Sequence, residues 1–167
     1  MKRFLAIISL VTVFAGCIKE ENTGGEVKAG DILPEFEVVM SDGSLLTDDS
    51  LKGSVSILMF FHTSCPDCQQ ALPMVQNIYD EYSVKGVKIA LISREESSDD
   101  ISSYWTDNSL NMPYSAQDDR KVYELFASTR IPRIYMSDEN GIVRYIFTDD
   151  PVPSYDVLKS ALESLIR

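Results

Sequence analysis

The stretch "SVSILMFFHTSCPDCQQALP", residues 54 to 73, constrains the fold of this chain more than any other. Residues 54 to 61 form a nearly continuous apolar run of the kind that makes a buried central strand. Beyond it, Leu72, Val75, Ile78, Tyr79 and Tyr82 recur at helical spacing. A buried strand therefore runs into a helix, with Cys65 near the helix start and Cys68 one turn inside. Pro73, in the helix interior, is expected to kink it.

Three chemistries compete for Cys65 and Cys68. A zinc site takes about four ligands, whereas the neighbourhood offers these two thiols and His62, the only histidine. A structural staple closing so small a loop would remove little entropy from the unfolded chain. At 167 residues the chain also buries a core without needing cross-links. Redox chemistry suits the spacing, because two sulfurs one helical turn apart reach each other and the second resolves a mixed disulfide on the first. The helix N-terminus favours a thiolate at Cys65 through its unpaired N–H groups and dipole, and the next turn shields Cys68. Cys65 is thus expected to be the nucleophile and Cys68 the resolving thiol, with no metal or other cofactor.

The N-terminus has a different character. Lys2 and Arg3 precede an apolar run from Phe4 to Phe14 and the small residues Ala15 and Gly16, the pattern of a secretory signal peptide over residues 1–16. The run is short for a transmembrane anchor. Ala15-Gly16-Cys17 resembles a bacterial lipobox, although Phe14 stands where leucine or valine is usual. Lipidation of Cys17 by more than one acyl chain would hold the protein stably at a membrane, in an extracytoplasmic, periplasmic or surface-facing position. Residues 17–30 are polar and glycine-containing and read as a tether, leaving residues 31–167 as one domain. With 26 acidic against 15 basic residues the net charge is −11, which argues against nucleic acid as a partner.

Within the domain, "FEVVM" and the "SDGS" turn open a strand hairpin, and residues 86–93 form a second buried strand. A short helix is expected around Trp105, and another over 118–128 with Val122, Leu125 and Phe126 facing inward. "RIYMS" and "IVRYIF" flank Asn140-Gly141 as a hairpin. Ser154 caps a C-terminal helix from Tyr155 with Val157, Leu158, Ala161, Leu162 and Leu165 inward. The expected fold class is α/β, a mixed sheet flanked by helices.

With these residues in view, the chain resembles the thioredoxin-fold thiol-disulfide oxidoreductases, most closely the membrane-anchored TlpA/ResA type. "MFFHTSCPDCQQALP" matches that family's strand, aromatic pair, Cys-x-x-Cys helix and helix-kinking proline. "GSLLTDDSLKGSVSILMFF" is similar to its N-terminal hairpin and lead-in, and the segment before Ile131 accommodates its inserted helix and strand. "STRIPRIYMSDENGIV" resembles the stretch with the fold's cis-proline. The resemblance implies that Pro132 is cis, that Ile131 lies beside Cys65, and that both hold an extended substrate segment. It also implies protein thiol or disulfide substrates, an electron-donating redox partner, and reductase activity through Cys65-Pro66-Asp67-Cys68.

Two positions depart from the family. Ser64 replaces the usual tryptophan before the nucleophile, and Met59 stands where thioredoxins keep a buried acid. His62 and Asp67, the latter between the cysteines, are the candidates for proton handling. The enzymatic alternative is a peroxiredoxin-like peroxidase, but His62 occupies the position of that chemistry's threonine and Thr63 is one place out of step. The non-enzymatic alternative is a surface binding lipoprotein on the same scaffold.

Overall fold

The computed structural model describes residues 25–166. Two short strands open the domain, β1 (Glu37–Val39) and β2 (Leu45–Thr47), paired antiparallel as a sheet of their own. The Thr47 side chain caps a one-turn helix, α1 (Asp48–Leu51), through a reciprocal exchange with Ser50. The apolar run then forms β3 (Ser56–Phe61), buried at every position, and leads to α2 (Pro66–Tyr82).

Next come β4 (Lys88–Ser93), α3 (Ser98–Asp107), β5 (Tyr114–Ser115), α4 (Lys121–Glu124), β6 (Arg133–Ser137), β7 (Val143–Phe147) and α5 (Tyr155–Leu165). The main sheet has the order β5-β4-β3-β6-β7. The pairs β3–β4 and β4–β5 are parallel, whereas β3–β6 and β6–β7 are antiparallel. This is the mixed sheet expected from the sequence.

Alternate residues of β3 serve the two faces of the sheet. Phe60 packs against Tyr123, Phe126 and Tyr135. Its neighbour Phe61 packs against Trp105 of α3, which also meets Tyr114 and donates through Nε1 to the Met112 carbonyl at 2.9 Å. On α2, Leu72, Val75, Ile78 and Tyr82 are buried and Tyr79 is half-buried. The helix runs through Pro73 without a break in its assigned span, and the proline lies on the exposed face.

Two local expectations need correction. The helix over 118–128 contracts to Lys121–Glu124, and Tyr123 is fully buried together with Phe126 while Val122 and Leu125 are only half-buried. The Arg120 side chain does not cap it, and the chain leaves through a turn. Val157 does not face inward: it is 47% exposed, in the first turn of α5 beside Tyr145 and Phe147. At the β6–β7 hairpin only Gly141 has positive φ, 75°; the Asp138 carboxylate closes the turn by accepting from the Asn140 and Ile142 N–H groups.

Candidate active site

Because β3 and β4 are parallel, their carboxyl ends deliver two loops to the same edge of the sheet, the usual place for chemistry in such sheets. Residues 62–65 continue from β3, residues 94–97 from β4, and the Arg94 N–H donates to the Phe61 carbonyl at 2.8 Å. Cys65 is the N-cap residue of α2, in extended conformation, and Pro66 takes the first helical position, where no N–H is needed. Cys65 is partly exposed, and Cys68, one turn on, is completely buried; both are free thiols. Pro66 and Asp67 are exposed on the first turn.

Ile131–Pro132 is a cis peptide bond. The Cys65 Sγ lies 3.6 Å from the Ile131 carbonyl oxygen, with the thiol as donor. Cys65 and the proline loop therefore come together from positions 66 apart in sequence. Ile131 itself is only 7% exposed.

Burial pushes the Cys68 thiol well above its ordinary value, and the neighbouring Cys65 and Asp67 add to this, while a hydrogen bond from the His62 backbone acts against it. Cys68 is thus kept protonated until something draws it out. Met59 is fully buried in the middle of β3 and offers no proton acceptor. His62 is half-buried, and its Nδ1 accepts from the Ser64 N–H at 3.2 Å and lies 3.0 Å from the Ser64 hydroxyl.

A further group emerges in the fold. Glu96, 8% exposed, accepts the Thr63 N–H on one carboxylate oxygen at 2.9 Å and the Thr63 hydroxyl on the other. That second oxygen also lies 3.5 Å from His62 Nδ1. Gln69 of α2 donates to the Thr63 carbonyl at 2.7 Å, so every polar group of Thr63 is held. Sequence reasoning placed neither Glu96 nor Gln69 at the site. The available signal was topological: an acidic residue three places past the end of a strand parallel to β3 falls beside the cysteine loop.

Among the described residues, no group of three or more histidine, cysteine, aspartate or glutamate side chains is arranged to hold a metal ion. No helix among them is long and apolar enough to cross a membrane. Cys17 and the signal-peptide pattern lie outside the described residues.

The chain is 25% identical over 146 residues to the thiol-disulfide oxidoreductase ResA of Oceanobacillus iheyensis, covering 85% of this chain and 76% of that protein. Its fold matches a thioredoxin-family thiol:disulfide interchange protein from Chlorobium tepidum, with a TM-score of 0.72 at 20% identity, over 86% of this chain and all of that one. StoA from Bacillus subtilis matches with a TM-score of 0.66 at 20% identity, over 78% of this chain and 97% of that one. The thioredoxin-like fold expected from the sequence is the one observed. A profile of the AhpC/TSA family matches residues 29–146, and the chain, with its Cys-x-x-Cys helix inside that span, belongs to this thioredoxin-like family.

Proposed function

We propose that the protein is an extracytoplasmic thiol-disulfide oxidoreductase that reduces disulfides in protein substrates, tethered to a bacterial membrane by acylation at Cys17. The observation that carries this reading is the contrast between the two thiols: Cys65 partly exposed at a helix N-terminus, 3.6 Å from the Ile131 carbonyl, and Cys68 fully buried one turn behind.

In the forward direction the Cys65 thiolate attacks one sulfur of a substrate disulfide. A Cys65–substrate disulfide forms, the substrate's S–S bond breaks, and the leaving thiolate takes a proton from solvent. Cys68 then loses its proton and attacks the Cys65 sulfur. The intramolecular disulfide forms and the second substrate thiol departs, so the substrate gains the two electrons that the protein loses. A dithiol redox partner restores the reduced pair. The Ile131 backbone pairs with the substrate segment, while His62 and Asp67 are the candidate groups for the proton transfers.

Replacing Cys68 with alanine tests the reading, since the mixed disulfide on Cys65 then accumulates and can be isolated with its partners. No trapped partner in Cys68→Ala, or unchanged exchange in Cys65→Ser, rejects it. A redox titration gives the direction: a potential above those of the trapped disulfides rejects the reductase assignment.

The family match favours a second reading, a thiol peroxidase. Against it stands His62, three residues before Cys65, where that chemistry uses a threonine. Stopped-flow oxidation of the reduced protein by hydrogen peroxide separates the two; a rate near that of a free thiol excludes the peroxidase.

A further inference from the structure

Ile131 is delivered to Cys65 by a turn that is costly to hold. Arg130, directly before it, has φ of 68°, the left-handed region in which a Cβ crowds the backbone and glycine is the ordinary occupant. A non-glycine residue stays there only where its surroundings over-determine it, and such residues cluster at ligand-binding segments.

Two buried donors hold this turn from beneath. The Tyr123 hydroxyl of α4 donates to the Arg130 carbonyl at 2.6 Å. The Arg133 guanidinium donates to the Thr129 carbonyl from Nε at 3.3 Å and from Nη2 at 3.2 Å. Both side chains are set deep: Tyr123 is 1% exposed with its ring against Phe60, and Arg133 is 5% exposed, paired across the strands with the same Phe60. Burial raises the pKa of the Tyr123 phenol, so it remains a donor. From above, the Arg130 guanidinium pairs with Asp149 at 3.2 Å.

Burying a phenol and a guanidinium costs desolvation, and an apolar pair would fill the same space without it. The Arg133 charge is matched by Glu26, 2.5 Å from Nη2, and what the polar pair adds beyond that is control of two successive carbonyls in the turn before Ile131. Meanwhile the Ile131 N–H has no hydrogen-bond partner among the described residues, as a backbone set out to receive another strand would.

We propose that Tyr123 and Arg133 are positioning residues that hold the Thr129–Arg130 turn in its strained form and so preset the Ile131 backbone for a peptide substrate. This rests on the reading of Ile131 as the substrate-pairing residue. Neither side chain is hydrogen-bonded to Cys65 or Cys68, so each reaches the thiol only through the Ile131 carbonyl, and the effect on an extended substrate exceeds that on a small disulfide.

The test compares two disulfides with one chromophoric leaving group: Ellman's reagent, and a linear peptide whose cysteine is joined to thionitrobenzoate. Reduced full-length protein is mixed with each under single-turnover conditions. Tyr123→Phe is expected to slow the peptide reaction about fivefold relative to the reaction with Ellman's reagent, the worth of one hydrogen bond. Arg133→Lys, which loses the two-donor fork, gives the same pattern. In the Arg130→Gly background the Tyr123→Phe effect disappears, because glycine adopts the turn without help. Equal slowing of both reagents, no slowing of either, or the same loss in both backgrounds overturns the proposal and leaves the oxidoreductase reading standing. A wild-type protein with no preference for the peptide over Ellman's reagent removes the substrate-pairing role of Ile131, and the proposal with it.

Discussion

Thr63 and Glu96, 33 positions apart in the chain, are joined by two hydrogen bonds, backbone N–H to one carboxylate oxygen and hydroxyl to the other. The pair ties the loop that carries Cys65 to the end of the neighbouring strand. Thr63→Val removes the hydroxyl and keeps the shape, leaving one carboxylate oxygen short of a donor in a buried setting. A loss of about 1–3 kcal/mol in urea unfolding is expected. Glu96→Gln should cost a similar amount, because an amide cannot accept on both of its heavy atoms. Wild-type stability in both variants would show that the pair carries no weight in the fold.

Cys68 gives the protein an alkaline signature. Burial is the chief reason its thiol is held above its ordinary value of 9.0, so the folded state disfavours the thiolate relative to the unfolded chain. A pKa raised on folding contributes stability that is complete below the unfolded value and is lost as pH rises above it. Stability of the reduced protein should therefore begin to fall above about pH 9, and Cys68→Ala should flatten the profile between pH 9 and 10. Above that range Tyr82 and Tyr135, both pushed up to about 12 chiefly by burial, contribute in the same direction in both proteins. Denaturant titrations across this range check the difference.

How much of this was legible follows from where the information sits. The strand at Ser56–Phe61, the helix beginning at Pro66 and the exposed–buried contrast of Cys65 and Cys68 are local properties of hydrophobic period and a proline at the first helical position, and a sequence displays them. Pro132 was found because of its resemblance to a known stretch, not because of its own neighbourhood. Glu96 was invisible: in "REESSDD" it is one acid among four, and only the parallel pairing of β3 with β4 selects it. Arg130 and Tyr123 were equally hidden, since a left-handed φ on an arginine has no sequence mark and α4 is too short for a helical period. Val157 was misassigned because its spacing suits the buried face, whereas β7 leaves an open groove at that end of α5.

Glu81 should dominate part of the acid response. It accepts hydrogen bonds from Tyr155, Lys85 and Lys159, in that order of influence, and these hold its carboxyl down at about 2 from an ordinary 4.5. A depressed carboxyl pKa contributes stability that is present above the unfolded value and is lost as pH falls through the folded one. The contacts tie α2 to α5, so the window from about pH 4.5 down to 2 should see α5 loosen. Glu81→Gln should show a flatter acid profile over that window, read by circular dichroism, with Cys65 alkylation at neutral pH unaffected. A variant as acid-sensitive as the wild type would assign that response to other carboxylates.

Trp105, the only tryptophan, connects the outer strand to the site. Its ring packs on Phe61, the last residue before the cysteine loop, at 5.1 Å, and on Tyr114 at 4.9 Å, and its Nε1 satisfies the Met112 carbonyl. Trp105→Phe removes the donor and part of the ring, leaving a buried carbonyl short of its partner and space beside Phe61. The expected cost is about 1–3 kcal/mol, with both terms acting in the same direction. Because β5 has only two residues and depends on this contact for its cover, the Glu96–Gln117 backbone bond beyond it should also weaken. Hydrogen exchange reads this directly: the Glu96 amide should lose protection in Trp105→Phe, while amides in β6, which pairs on the other side of β3, keep theirs. Uniform loss across both strands would mean that the sheet opens as one unit, and that the Glu96 loop has no separate dependence on α3.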